Sequence, residues 1–122
     1  MRESPFAPRC RMSQRKKQIR QQFRTAVFSR DGFACRGCGV ASTPERAEGE
    51  LDAHHITDRN EMPNGGYAAE NGISLCAGCH AKAEAFHCGE PVAPGFLPAD
   101  LYARIGSSKE KARTASERLA KR

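Results

Sequence analysis

Cys35-Arg36-Gly37-Cys38, Asp52-Ala53-His54-His55-Ile56 and Asn71-Gly72-Ile73-Ser74-Leu75-Cys76-Ala77-Gly78-Cys79-His80 are the three runs that decide the fold of this chain. The two Cys-x-x-Cys pairs read as the two jaws of one tetrahedral Zn²⁺ site, Cys35, Cys38, Cys76 and Cys79, with four thiolates and no open position. A closed site of that kind is structural. Folding around it draws His54, His55, Asn71 and His80 into one small volume. Three histidines and an amide beside a metal clip point to a second, catalytic site.

Composition explains why such a chain needs a clip. Leu, Ile, Val and Phe make up about 15% of the 122 residues, below the roughly 20% at which a chain struggles to bury a core. At most one domain is expected, and a metal is an economical staple for a small core. The opening Met1-Arg2-Glu3-Ser4-Pro5 has no apolar stretch behind it, and no run approaches the roughly 18 apolar residues of a membrane span. The expectation is a cytoplasmic protein with reduced thiols, so metal is favoured over disulfides. Cys10 and Cys88 have no matching pair.

Charge divides the chain. Residues 1–30 carry nine Lys/Arg against one acid, residues 31–106 five against eleven, and residues 107–122 six against two. Basic arms on an acidic body suit a polyanion-binding protein.

Outward from the central runs, residues 1–13 contain Pro5 and Pro8 without periodicity and read as a disordered lead. Ile19, Phe23 and Ala26/Val27 mark the apolar stripe of a helix over 14–29 that Asp31-Gly32 ends. Residues 41–50 read as a solvated loop. Leu51–Ile56 and Ile73–Leu75 read as strands, joined by a polar connection with Pro63-Asn64-Gly65-Gly66 as its turn. The alanine-rich run from Cys76 or Gly78 to Phe86 reads as a helix. The order strand, strand, helix is a ββα unit. Pro98–Ile105 reads as a short helix, and Ser107 with Glu110 at capping-box spacing starts a basic helix bearing Ala112, Ala115 and Leu119 on one face. The division expected is 1–13 lead, 14–106 main domain with its ββα core at about 51–87, and 107–122 basic C-terminal helix.

Cys76-Ala77-Gly78-Cys79-His80 also fits covalent haem attachment, but that reading requires an oxidising compartment and leaves Cys35, Cys38, His54 and His55 unused. The order His54-His55, Asn71, His80, with the last His directly after the second knuckle, resembles the zinc-stapled HNH endonucleases of the ββα-metal (His-Me finger) fold. Arg30-Asp31-Gly32-Phe33-Ala34-Cys35 and Glu70-Asn71-Gly72-Ile73-Ser74-Leu75-Cys76 resemble that family too, and the likeness covers about residues 24–87. It is greatest to the small standalone proteins of bacteria and their phages.

The resemblance implies an α+β protein: a small zinc-stapled ββα-metal core with flanking basic helices. It implies metal-dependent hydrolysis of DNA phosphodiester bonds. His55 would be the general base, His54 and His80 the ligands of one catalytic divalent metal (Mg²⁺, Mn²⁺ or Ni²⁺), and His80 part of the catalytic set. Asn71 would orient the base by holding the loop between the strands. Glu84, one helical turn after His80, would be a further ligand, as in some relatives. With an ordinary pKa of about 6.5, His55 would make activity rise through pH 6–7.

For DNA contact the residues chosen are Arg15, Lys16, Lys17, Arg20 and Arg24 of the first helix together with the C-terminal helix. Arg59 and Lys82 are the choices at the scissile phosphate. The expected partner is DNA, with a phage-packaging or other protein partner in a larger assembly. The rival from another class is a non-catalytic zinc module that binds nucleic acid or a partner protein.

Overall fold

The computed structural model describes residues 7–119, with side chains from Gln14 onward. The chain begins with a long helix, α1 (Ala7–Arg30), which starts seven residues before the expected Gln14. Pro8 is no obstacle, because the first turn of a helix has no use for its missing N–H. Residues 1–6 of the expected lead lie outside the described residues.

Ile19, Phe23, Val27 and Phe28 form the inward stripe of α1, while Ala26 is exposed. The helix ends where the Asp31 amide bonds to Val27 O and the next residues turn through positive φ at Gly32 and Phe33. Within the expected loop, Ala47–Glu50 makes a single helical turn, α2, anchored by the buried Ala47.

β1 (Asp52–His55) and β2 (Gly72–Leu75) pair antiparallel, with Asp52 opposite Leu75, His54 opposite Ile73 and His55 opposite Gly72. The connection between them is coiled into short turns at Arg59–Glu61, Pro63–Gly66 and Ala69–Asn71. Then follow α3 (Ala77–His87), α4 (Pro98–Arg104) and α5 (Lys109–Glu117). The protein is α+β. The strands and α3 form the ββα unit, with α1 packed on the opposite face of the sheet.

Gly72 is what lets α1 lie so close to β2. A Cβ there would stand 2.5 Å from Val27 Cγ2 and 2.6 Å from the Phe23 ring. The end of α1 is clamped by charge as well. The Arg30 guanidinium forks onto both oxygens of buried Asp31 at 2.8 Å each and donates to the carbonyls of Ala69 and Gly72. Asp31 in turn accepts the Ser74 amide. A buried carboxylate held by a bidentate guanidinium and a backbone N–H is a satisfied ion pair that ties helix to strand.

α5 lies on the connection between the strands, with Ala112 and Ser116 buried. Its cap is Ser108, whose hydroxyl accepts the Lys111 amide, rather than the expected Ser107. The Ser107 hydroxyl is instead turned toward the body, where it donates to Glu70 O. No helix among the described residues is long and apolar enough to cross a membrane.

Candidate metal centres and active site

Two clusters of ligand atoms are built around the ββα unit, both drawing on α3. In the first, the donor sulfurs of Cys35, Cys38, Cys76 and Cys79 lie within 4.8 Å of one another, and Cys38 Sγ and Cys76 Sγ are 3.7 Å apart. Four sulfurs each about 2.3 Å from one ion in a tetrahedron would stand roughly 3.8 Å apart, so the cluster has the spacing of a Zn–S₄ site. The first knuckle requires glycine, since a Cβ on Gly37 would lie 2.7 Å from Cys79 Sγ.

The amides of Gly37, Cys38 and Cys76 all donate to Cys35 Sγ at 3.2–3.4 Å. Burial pushes the Cys35 thiol up, but these N–H bonds and a contact with Cys79 outweigh it and hold the thiol near 6. Burial, together with the neighbouring sulfurs, pushes Cys79 up to about 12. One thiolate is thus ready-made, and an ion would have to displace protons from the rest.

The second cluster is His54, His80 and Glu84. His54 and His55 are neighbours on β1 and face opposite sides of it. His54 turns toward α3, with its ring 5.1 Å from that of His80 and 5.4 Å from that of His87. α3 carries His80 and Glu84 one turn apart. Glu84 Oε2 stands 3.4 Å from both His54 Nδ1 and His80 Nε2. That separation suits two donors bound to one cation at about 2.1 Å, since tetrahedral ligands at that radius are roughly 3.4 Å apart.

His54 Nδ1 is buried with no hydrogen-bond partner, an expense a folded chain avoids unless something binds there. The residues therefore fit a divalent metal. His80 is oriented from behind by Asp52, whose Oδ2 is 3.1 Å from His80 Nδ1, leaving Nε2 toward the cluster.

His55 turns toward α1. Its ring stacks on Phe23 at 4.5 Å and meets the edge of Tyr67 at 4.8 Å. Nε2 is buried without a partner. Its backbone carbonyl lies 3.2 Å from His87 Nε2, so α3 also fixes the end of β1. Both histidines border an open cleft of about 310 Å³ lined also by Asp58, Arg59, His80, Glu84 and His87.

Burial lowers both rings. His54 falls to about 3, helped by the neighbouring His80, His87 and His55. His55 falls to about 4, with Arg59 and His87 adding to burial and Asp58 opposing it. The ordinary value expected for His55, near 6.5, is therefore corrected: burial against Phe23 and Tyr67 brings the ring to about 4, below the pH 6–7 window.

Asn71, fully buried, holds the connection shut. Its Nδ2 donates to Thr57 O at 3.0 Å and Gly66 O at 3.2 Å, while Oδ1 accepts from the Thr57 amide and the Tyr102 hydroxyl. All of its hydrogen-bonding capacity is thus used within 14 residues of loop and one helix of support.

Of the cationic residues chosen from sequence, Arg20, Arg24 and Arg59 line the cleft beside His55. Arg24 is also engaged with Glu48, 3.1 Å away. Lys17 lies beside Arg20 and Arg24 on the exposed face of α1. Arg15 and Lys16 lie further out along the helix, both exposed. Lys82 does not line the cleft; its ammonium sits over the Phe96 ring at 5.6 Å.

The family model described as HNH endonuclease matches residues 35–86. Over that stretch the chain is similar to the HNH endonucleases. No curated protein and no solved structure matches it. The match runs from Cys35 to Phe86 in α3, so it encloses both ligand clusters. The packing of α1, α4 and α5 lies outside it. Two contributors to the site went unassigned in the sequence. Asp52 lies two residues from His54, on the same strand face, and that period of two is a signal that could have placed it beside His80. Tyr67 lies in an irregular turn, where no periodicity points to it.

Proposed function

We propose that this chain is a metal-dependent endonuclease that hydrolyses DNA phosphodiester bonds. The observation that carries the reading is the His54–His80–Glu84 cluster, with an unpartnered buried His54 Nδ1, directly across β1 from a second, neutral histidine. In this reading His54, His80 and Glu84 hold one divalent ion, Mg²⁺, Mn²⁺ or Ni²⁺, and the four cysteines hold a structural Zn²⁺. Held by these residues, a divalent ion would supply charge neutralisation for the phosphodiester as its bond breaks.

His55 takes the proton from the attacking water. Because the ring is held neutral by burial, it is competent as an acceptor at neutral pH. The chemistry needs nucleophile and leaving group on opposite sides of phosphorus. A strand with its base on one face and its metal ligands on the other, both bordering one cleft, supports that arrangement. Asn71 is the positioning residue, fixing the loop that follows His55. Asp52 sets the His80 ring so that Nε2 faces the ion. Arg20 and Arg59 meet the phosphodiester backbone, and the exposed cations of α1 and α5 add non-specific attraction that the acidic body lacks.

The test is nicking of supercoiled plasmid by the zinc-loaded protein with Mg²⁺, Mn²⁺ or Ni²⁺ added or withheld. His55→Ala is expected to keep its zinc content and circular dichroism and to lose cleavage by roughly 10²–10⁴-fold, the usual contribution of a positioned base. Glu84→Gln is expected to weaken divalent-metal binding, read by calorimetry, at unchanged zinc content. Cleavage by His55→Ala at the wild-type rate would refute the assignment. Folded, zinc-loaded wild type that fails to cleave with any of the three metals would instead favour a non-catalytic zinc module that binds nucleic acid or a partner protein.

A further inference from the structure

Arg20 comes from α1 and Arg59 from the first turn after β1, yet both stand beside the hydroxyl of Tyr67, to which Arg59 Nη1 donates at 3.0 Å, and against the upward push of burial both cations pull the Tyr67 pKa down. Two guanidinium groups drawn to one neutral oxygen repel each other. Among the described residues neither forms an ion pair with a carboxylate that would offset the repulsion. Asp58, next to Arg59 in the chain, caps the turn by accepting the Asn60 amide and acts on Arg59 only at longer range, without pairing with it.

The convergence point is well fixed. The Tyr67 ring is buried, edge-on to Phe23 at 5.6 Å and to His55 at 4.8 Å, so its hydroxyl is anchored by the core. Arg20, Arg59 and Tyr67 together line an open cleft of about 270 Å³ whose other walls include His55 and His80. A cation pair of this kind is complete only with an anion between its forks, and the planar guanidinium fits phosphate oxygens two at a time.

We propose that Arg20 and Arg59, gathered by the Tyr67 hydroxyl, form a subsite for one backbone phosphate of the nucleic-acid strand beside His55, with Tyr67 its positioning residue. The proposal rests on the nucleic-acid reading given above and adds to it a residue that bears no charge. Holding two flexible side chains in one geometry before the strand arrives lowers the entropy lost when it binds. Tyr67 therefore strengthens binding without touching the phosphate charge count.

The experiment measures binding of a short fluorescein-labelled DNA duplex to zinc-loaded protein across a series of KCl concentrations, with no divalent metal added. Arg20→Gln and Arg59→Gln are each expected to weaken binding about 5–10-fold and to lower the slope of log K against log salt by about 1. Tyr67→Phe keeps the ring contacts and every charge. It is expected to weaken binding about 3–5-fold at unchanged salt slope, and to have no further effect in the Arg20→Gln/Arg59→Gln background, where no guanidinium is left for it to position.

Wild-type binding by Tyr67→Phe, a further loss from Tyr67→Phe in the Arg20→Gln/Arg59→Gln background, or no duplex binding by the wild type would each overturn the subsite. Plasmid nicking by the same proteins separates this outcome from the nuclease reading. Wild type that shows the binding pattern but never nicks refutes the nuclease and keeps the subsite. Wild type that nicks while all three variants bind as it does refutes the subsite alone.

Discussion

A side chain with no surface at all can decide how a site works, and Asn71 does so through four hydrogen bonds. It satisfies the carbonyls of Thr57 and Gly66, the amide of Thr57 and the hydroxyl of Tyr102, all away from water. Asn71→Ala removes every one of them and leaves buried groups unpaired, at about 1–3 kcal/mol each for those that cannot re-pair. Denaturant unfolding is expected to show a loss of roughly 3 kcal/mol or more, and an unchanged midpoint would refute this account. Asn71, His54, His55 and His80 were legible in the sequence because their types and order are unusual together. Tyr67 and the Phe23 stack were not, since they act on His55 through ring packing that joins α1 to an irregular turn 44 positions away. The low pKa of His55 was illegible for the same reason: it is a property of the rings around it.

At the scale of elements, the site depends on how closely α1 approaches β2. His55 and Gly72 are register partners, so the glycine lets Phe23 descend far enough to stack on the histidine ring. Gly72→Ala places a methyl group 2.5 Å from Val27 Cγ2, which the packed core must accommodate by moving the helix. Overpacking of this kind costs about 1–3 kcal/mol, and the displaced ring should loosen His55 as well. The expected result is a lower melting temperature together with a cleavage rate that falls more than the fraction unfolded explains. A variant as stable as wild type would show that α1 is not seated as described. The strands and α3 were readable from short apolar runs bounded by turn residues. The start of α1 was not, because a proline pair looks like a break whether it precedes a helix or sits in its first turn. Adjacent serines at the start of α5 were equally ambiguous. Ser108 caps the helix only because Ser107 has a partner, Glu70, distant in sequence.

For the whole molecule, the scarcity of large apolar residues makes stability depend on two buried polar constellations, and both respond to acid in the same direction. Chelating the zinc is expected to unfold the chain, since binding free energy at a closed thiolate site is folding free energy. The histidines add a separate contribution. In the unfolded chain His54 and His55 take up protons near their ordinary value of about 6.5. In the fold they resist protonation down to about 3 and about 4. Between those limits the unfolded state binds more protons, so stability is complete above about pH 6.5 and is lost as pH falls. From pH 7 to pH 5.5 each histidine should cost a little over 1 kcal/mol, about 2–3 kcal/mol together. Protonation of the cysteine thiolates would add to the loss, so the decisive comparison is between wild type and the His54→Gln/His55→Gln variant, with zinc release followed by a chromogenic chelator. The variant's denaturation midpoint is expected to fall less steeply over this range at equal zinc content. Equal slopes would assign the acid sensitivity to the thiolates alone and would show that the two rings are not held neutral by burial.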